Sequence, residues 1–562
     1  MNITKKNIDK SLSKEKAEIV LKNAFVIDVF NQDIFKADVA IDDGKIIGLG
    51  KYEGNYEIDC EGKYISPGFI DSHVHIESSK VIPKVFAAEL LKRGVTTCIA
   101  DPHEIANVLG IDGINFMIEN SKDAVIDIFF MIPSCVPATD FEDSGAVLTS
   151  EDIKIFKDNP KVLGLGEVMD VPSVINCKED MIRKINIFKD KVIDGHCPMA
   201  EEKTLNAYIL SGVVTDHECS NAGEAIEKVR KGMYVMIREG SAAKNLDDII
   251  AAVNDKNFTR FLFCTDDKSI IDIVNEGSID YNIKKAIKHN INPITAITIA
   301  TLNAAKCYNL KNKGAVAAGY DADIVILDDL NEIKINRVIR KGKLNFDIEN
   351  NNSIEYKSSM NIDYISKDKF NVRCSKEYTE VIKAVKGSLI TEKVKRKVIL
   401  DNGYIKGVSG DDVLKIGVFE RHKKTKKYSI GFIEGLSLKN CSIAQTISHD
   451  SHNIIVVGDN DSDMTLAVNR LIDIGGGIVV VSEGKVLEEI SLPVAGLMTY
   501  ENSEFVVEKL KRLYDCVKRY MKYKDMDIFL TLAFMALPVI PKLKITDRGL
   551  YDFEEGMFIN QG

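Results

Sequence analysis

Pro67-Gly-Phe-Ile-Asp-Ser-His73-Val-His75-Ile-Glu77-Ser-Ser79 is an apolar run that passes directly into two histidines and a glutamate. On a strand, side chains two apart share a face, so His73 and His75 present two imidazoles to one point. Alone, the same spacing also describes two solvated histidines. The strings that follow favour the first reading: GVTTCIAD (94–101), AVIDIFFMIP (124–133), VLGLGEV (162–168), KVIDGHC (191–197), GVVTDHE (212–218), MYVMIREGS (233–241) and FLFCTDD (261–267). Near-continuous apolar strands, most ending in polar residues and each followed by a helical stretch, are what a parallel sheet covered on both faces requires. About eight such units over about 240 residues fit a closed (β/α)8 TIM-type barrel better than an open sheet, and gather the strand-terminal polar residues at one end.

Outward from this core the texture changes twice. From Ile19 to about Ile65 short alternating strands are broken by turn residues, and the same texture returns from Gly314 to Phe346. The two patches are expected to pair into a composite small β-sandwich flanking the barrel. After about Asn350 the chain is charged and strand-rich, then glycine-rich and helical. The α/β organisation predicted is residues 1–65 as the first part of the sandwich, 66–310 as the barrel, 311–350 as the second part, and 351–562 as a C-terminal α+β domain. The last boundary is placed in NFDIENNNSIEYKSSMN (345–361).

Composition narrows the function classes. A chain of 562 residues exceeds one ordinary domain, and 45% hydrophobic with 28% charged residues is normal for a globular protein with a sizeable core. Acidic residues number 84 against 74 basic ones, a net charge of −10. No basic block is long enough to track a phosphate backbone, so no nucleic-acid partner is expected. The N-terminus is charged throughout and unlike a signal peptide. The closest approach to a membrane span, IFLTLAFMALPVIP (528–541), is short and carries two prolines. A cytoplasmic protein without a membrane partner is expected. The eleven cysteines include no C-x-x-C pair and read as free thiols of a reducing compartment.

Four of the nine histidines lie at predicted strand tips: His73, His75, His196 and His217. Glu167 and Asp266 hold equivalent places on other strands. Together these six make a binuclear metal-ligand set, in which imidazole and carboxylate suit Zn, Mn or Fe rather than Ca or Mg. The plainer reading of Glu167 is a carboxylate at the barrel mouth that bridges nothing.

These strings resemble the amidohydrolase superfamily, and the longer ones resemble its adenine deaminase family: PGFIDSHVHIESS, DPHEIANV (101–108), GEVMD (166–170), DGHCP (194–198), TDHE (215–218), REGSAAKN (238–245) and CTDD (264–267). SHDSHNIIVVGDND (448–461), PVAGLM (493–498) and LPVIPKLKITDRGL (537–550) extend the likeness to the C-terminal region. The resemblance implies two divalent ions, commonly manganese or iron, and hydrolysis of adenine to hypoxanthine and ammonia, as in purine salvage. It also implies a homo-oligomer, a homodimer in the first instance. Relatives that bridge their metals with a carboxylated lysine differ from this chain, which offers Glu167 at the corresponding strand.

On that reading a metal-bridged hydroxide attacks C6 of the base, and Asp266 takes its proton and delivers it to the leaving nitrogen. Glu239 is expected to donate a proton to a ring nitrogen, with Arg238 and Ser241 as supporting substrate contacts; the plain alternative is a surface Arg-Glu pair. His103 is a substrate-binding candidate that equally fits a supporting role, a further ion or a turn. Glu77 fits a supporting role or a helix cap. His449 and His452 suggest a second metal site, but two histidines three apart in a loop more often serve packing or turns; closure over the barrel mouth from the C-terminal domain is a further expectation. The triple glycine Gly475–Gly477 lacks the lysine of a phosphate loop and reads as a turn. Competing functions are an amidohydrolase of another aminopurine or a cyclic amide, and a non-catalytic barrel scaffold. The pairing of H-x-E with P-C-x-x-C that marks zinc-dependent cytidine and nucleic-acid deaminases is not found.

Overall fold

The computed structural model describes residues 4–346, 359–410 and 412–559. The central part of the domain boundary expected at 345–361, residues 347–358, lies outside the described residues. Five strands come first: β1 (Ala17–Asp28), β2 (Asp33–Asp42), β3 (Lys45–Gly50), β4 (Gly54–Asp59) and β5 (Tyr64–Pro67). Eight more follow in alternation with helices: β6 (Phe69–Val74), β7 (Val95–Ala100), β8 (Asp127–Ile132), β9 (Val162–Val168), β10 (Val192–Gly195), β11 (Thr215–Asp216), β12 (Tyr234–Arg238) and β13 (Phe261–Cys264).

These eight are parallel and neighbour one another in sequence order, β6 to β10 as one ladder and β11 to β13 as another. The two arcs touch at both ends. Val214 N–H donates to the Ile193 carbonyl at 3.0 Å beside β10. Asp266 N–H donates to the His73 carbonyl at 2.9 Å, next to a parallel bridge between Val74 and Asp266. The parallel sheet therefore curls until its first and last strands meet. The strands are buried almost throughout, as their unbroken apolar runs require.

Strands β14 (Ile324–Asp329) and β15 (Lys334–Ile339) return to the first five. β14 pairs antiparallel with β5, and β5 runs parallel to β1. The expected small β-sandwich takes the form of one hydrogen-bonded sheet of seven strands, with its own core around Leu21, Val26, Val39, Ile65 and Ile324. Charge ties this sheet to the N-terminal edge of the curled one. Lys313 Nζ lies 2.8 Å from Asp127 at the start of β8 and 2.7 Å from Asp323, while Arg340 and Lys341 reach the same Asp127 at 2.7 and 3.0 Å.

Beyond residue 359 nine strands between Tyr378 and Ser491 form a second large sheet, antiparallel except where Tyr378–Lys383 runs parallel to Tyr428–Glu434. The helix Asp461–Asp473 packs on it through Met464, Ala467, Val468 and Leu471. No described helix is long and apolar enough to cross a membrane.

Because Lys313 is buried among carboxylates, Lys313→Met strands negative charge without its partner. Urea denaturation should show a loss of about 3–5 kcal/mol; a change under about 0.5 kcal/mol would mean that Arg340 and Lys341 alone suffice.

Candidate metal centre

All six strand-tip residues converge where the parallel strands end. His73 and Glu167 are the penultimate residues of β6 and β9, while His75, His196, His217 and Asp266 lie one or two residues past β6, β10, β11 and β13. His73 Nε2 and His75 Nε2 are 3.2 Å apart, and Glu167 Oε1 is 3.1 Å from each. Asp266 Oδ1 lies 2.9 Å from His75 Nε2 and 3.5 Å from His73 Nε2. The second oxygen, Glu167 Oε2, lies 2.8 Å from His196 Nδ1 and 3.4 Å from His217 Nε2. One carboxylate thus faces two groups of donors at once.

The donor set fits divalent cations on an internal argument. His75 Nδ1 lies 2.9 Å from the Asp101 carbonyl oxygen, which only accepts, so the ring proton resides on Nδ1 and Nε2 carries a bare lone pair. That lone pair faces Glu167 Oε1 and Asp266 Oδ1, which are also acceptors. Glu167 Oε1 is buried and has no hydrogen-bond partner. Acceptors converging on one buried point require a positive charge between them. Protons can supply it: burial opposes a charged His73, but Glu167 and Asp266 outweigh burial and raise its pKa to about 10. His75 is raised in the same way. Burial would push Glu167 up, yet His217 and His73 hold it well below the usual carboxylate range. Imidazole and carboxylate together match the preferences of Mn, Fe or Zn.

Supporting contacts fix these positions. Asp101 Oδ2 accepts the Glu167 N–H at 2.9 Å. That approach requires Gly166, where a Cβ would sit 2.2 Å from Asp101 Oδ2. Asp266 adopts a left-handed backbone (φ 56°), which turns its carboxylate into the cluster while its N–H holds β6. Arg238 bonds Asp266 Oδ2 at 2.7 Å and also pairs with Glu218.

A cavity of about 830 Å³ opens over the cluster. Its floor includes His103, Glu218, Arg238 and Asp267. Its roof comes from the C-terminal part of the chain: Leu389, Ile390, His449, Asp450, Phe534, Leu537, Val539 and Ile540. A mostly apolar chamber with a few convergent polar groups has the character of a small-molecule site.

The Amidohydrolase family model matches residues 64–354, and the Adenine deaminase C-terminal domain model matches residues 388–557. Adenine deaminase of Clostridium acetobutylicum is 45% identical over 570 residues, covering 100% of both chains. The chain belongs to the adenine deaminase family. Adenine deaminase of Bacillus velezensis is 45% identical over 563 residues, 97% of each chain. Residues 4–64 match the model for the N-terminal domain of the urease alpha-subunit. Among solved structures, a crystal structure of an adenine deaminase is 17% identical, covers 59% of this chain and 100% of the other, and has a TM-score of 0.46.

In this adenine deaminase family member two expected contacts are directed elsewhere. Glu239 is fully buried outside the cavity, where Oε1 lies 3.0 Å from Lys285 Nζ on the outer helix Ile279–Lys288 and accepts the Leu246 N–H at 3.3 Å. Adjacent residues of an extended segment point to opposite faces, so Arg238 facing inward turns Glu239 away. Ser241 also leaves the cavity: its hydroxyl donates to Asp272 and accepts the Ser269 N–H at 2.9 Å. The structure therefore places both Glu239 and Ser241 outside the cavity lining. His103 does line the cavity, with Nδ1 3.7 Å from Glu167 Oε1. Glu77 accepts the Ile105 N–H at 3.1 Å and so caps the helix His103–Leu109. Glu218, beside Arg238, went unremarked in the sequence, although it stands next to His217 in TDHE.

Glu239→Gln should leave bound metal and catalytic constants within about twofold while costing about 1–3 kcal/mol of stability, because Lys285 loses its buried partner. A large fall in turnover with unchanged stability would restore Glu239 to the chemistry.

Proposed function

We propose that this chain hydrolyses adenine to hypoxanthine and ammonia. One observation carries the reading: Glu167 presents one oxygen to His73, His75 and Asp266 and the other to His196 and His217, in a chain akin over its whole length to adenine deaminases. On this reading residues 66–310 form a (β/α)8 barrel, 1–65 and 311–350 its companion β unit, and 351–562 the roof. The six residues hold two divalent ions, manganese first and iron or zinc as alternatives. The setting proposed is purine salvage in the cytoplasm, with a homodimer as the proposed assembly.

Divalent cations held by His73, His75, Glu167, His196, His217 and Asp266 would supply hydroxide near neutral pH. The chain's residues position the rest. Asp266, with Oδ1 in the cluster and Oδ2 on Arg238, takes the nucleophile's proton and delivers it to the departing amino nitrogen, since an amine leaves only when protonated. Burial favours a neutral Asp266, but Arg238 and the histidines hold it well below the carboxylate range, so it begins as a base. His103 and Arg238 border the substrate, and the apolar roof excludes bulk water.

Manganese-loaded protein should release ammonia from adenine, with hypoxanthine as the product, but not from dihydroorotate. Asp266→Asn should lower kcat by about 10²–10⁴-fold, with metal content measured in the same preparation. Chelation should abolish turnover and manganese restore it. No ammonia from adenine at two metals per chain would reject the substrate.

A further inference from the structure

Glu104 occupies the first turn of the helix His103–Leu109 and is fully buried. Two histidines more than 300 positions away in sequence reach it: His449 Nδ1 lies 2.6 Å from Oε1, and His452 Nε2 bonds Oε2. Their roles differ. His452 Nδ1 accepts the Ser448 N–H at 3.2 Å, so its proton sits on Nε2 and is donated to Glu104. Both nitrogens are occupied, which leaves this ring no lone pair for a cation. His449 donates Nδ1–H to Glu104, stacks on Phe534 with ring centroids 4.5 Å apart and planes 13° apart, and lines the cavity. Its Nε2 has no partner among the described residues.

We propose that His449, delivered by the C-terminal region and oriented by Glu104, donates a hydrogen bond from Nε2 to a ring nitrogen of the bound purine. This rests on the adenine reading above. Attack at C6 places negative charge on the ring, and a fixed donor there stabilises the transition state more than the ground state. With Glu239 outside the cavity, His449 offers a donor from the roof, across the cavity from Arg238 and His103 on its floor. His449 is suitably placed: Glu104 Oε1 is 3.5 Å from His103 Nε2, and His103 Nδ1 is 3.7 Å from Glu167 Oε1, so two side chains separate His449 from the cluster. Burial opposes a charged His449, but Glu104 outweighs it and raises the pKa to about 9, which keeps Nε2 protonated at neutral pH. The backbone beneath is pinned as well: fully buried Arg421 donates to the carbonyls of His452 and Ala495, and His449 N–H donates to the Ala533 carbonyl at 3.1 Å.

The test compares manganese-loaded wild type, His449→Asn and His449→Ala with adenine as substrate, with metal content and melting temperature recorded for each. Asparagine keeps a donor toward Glu104 but has nothing in place of Nε2. Both variants should keep wild-type metal content and lose about 10²-fold or more in kcat, and added imidazole should restore part of the activity of His449→Ala. His449→Asn within threefold of wild type would overturn the proposal. So would a loss of one bound metal per chain in either variant, which would make the Glu104 cluster a cation site. Wild type inactive on adenine would instead condemn the substrate reading, and an unaffected His449→Asn beside active wild type would condemn only the role of His449.

Discussion

A carboxylate buried among four imidazoles and a second carboxylate is tolerable only when positive charge stands between the acceptors, and that constraint on Glu167 organises the rest of the molecule. Glu167 reaches both donor groups because it lies at the tip of β9, between the strands that carry His73 and His75 and those that carry His196 and His217. The short separations hold only if the sheet curls far enough for β13 to meet β6, which the hydrogen bond from Asp266 to the His73 carbonyl secures. Outer contacts then fix orientation: the Asp101 carbonyl sets the tautomer of His75, and the Asp101 carboxylate holds the backbone of Glu167.

The same constraint explains why the C-terminal region covers the open end. Charge in the cluster acts strongly on substrate only if water is kept out. The apolar residues Leu389, Phe534, Leu537 and Ile540 of that region line the same cavity as the cluster. Glu104 joins the roof to the floor by a charge-assisted contact, so closure and alignment of the cavity depend on one pair of elements. The small seven-stranded sheet lies at the opposite edge, around Asp127, and serves the architecture rather than the cavity.

Much of this was legible in the sequence because a parallel strand imposes simple rules. Unbroken apolar runs marked the strands, and polar residues at their tips marked the mouth, so His73, His75, Glu167, His196, His217 and Asp266 could be grouped before any coordinates. The direction of Glu239 follows from strand alternation: with Arg238 facing in, its neighbour faces out. Ser241 lies in a turn, where no period predicts direction. Glu218 follows a strand of only two residues, too short for alternation to signal its facing. The pairing of Glu104 with His449 spans 345 positions and belongs to no local pattern, so only the fold reveals it.

On the proposed function, Glu167 would be held in common by two cations. Anomalous diffraction from crystals soaked in manganese, collected on both sides of the metal absorption edge, tests it most directly. The account predicts two peaks flanking the Glu167 carboxylate, one among His73, His75 and Asp266 and the other near His196 and His217. A single peak, or a pair that leaves Glu167 outside contact distance of either, would contradict it.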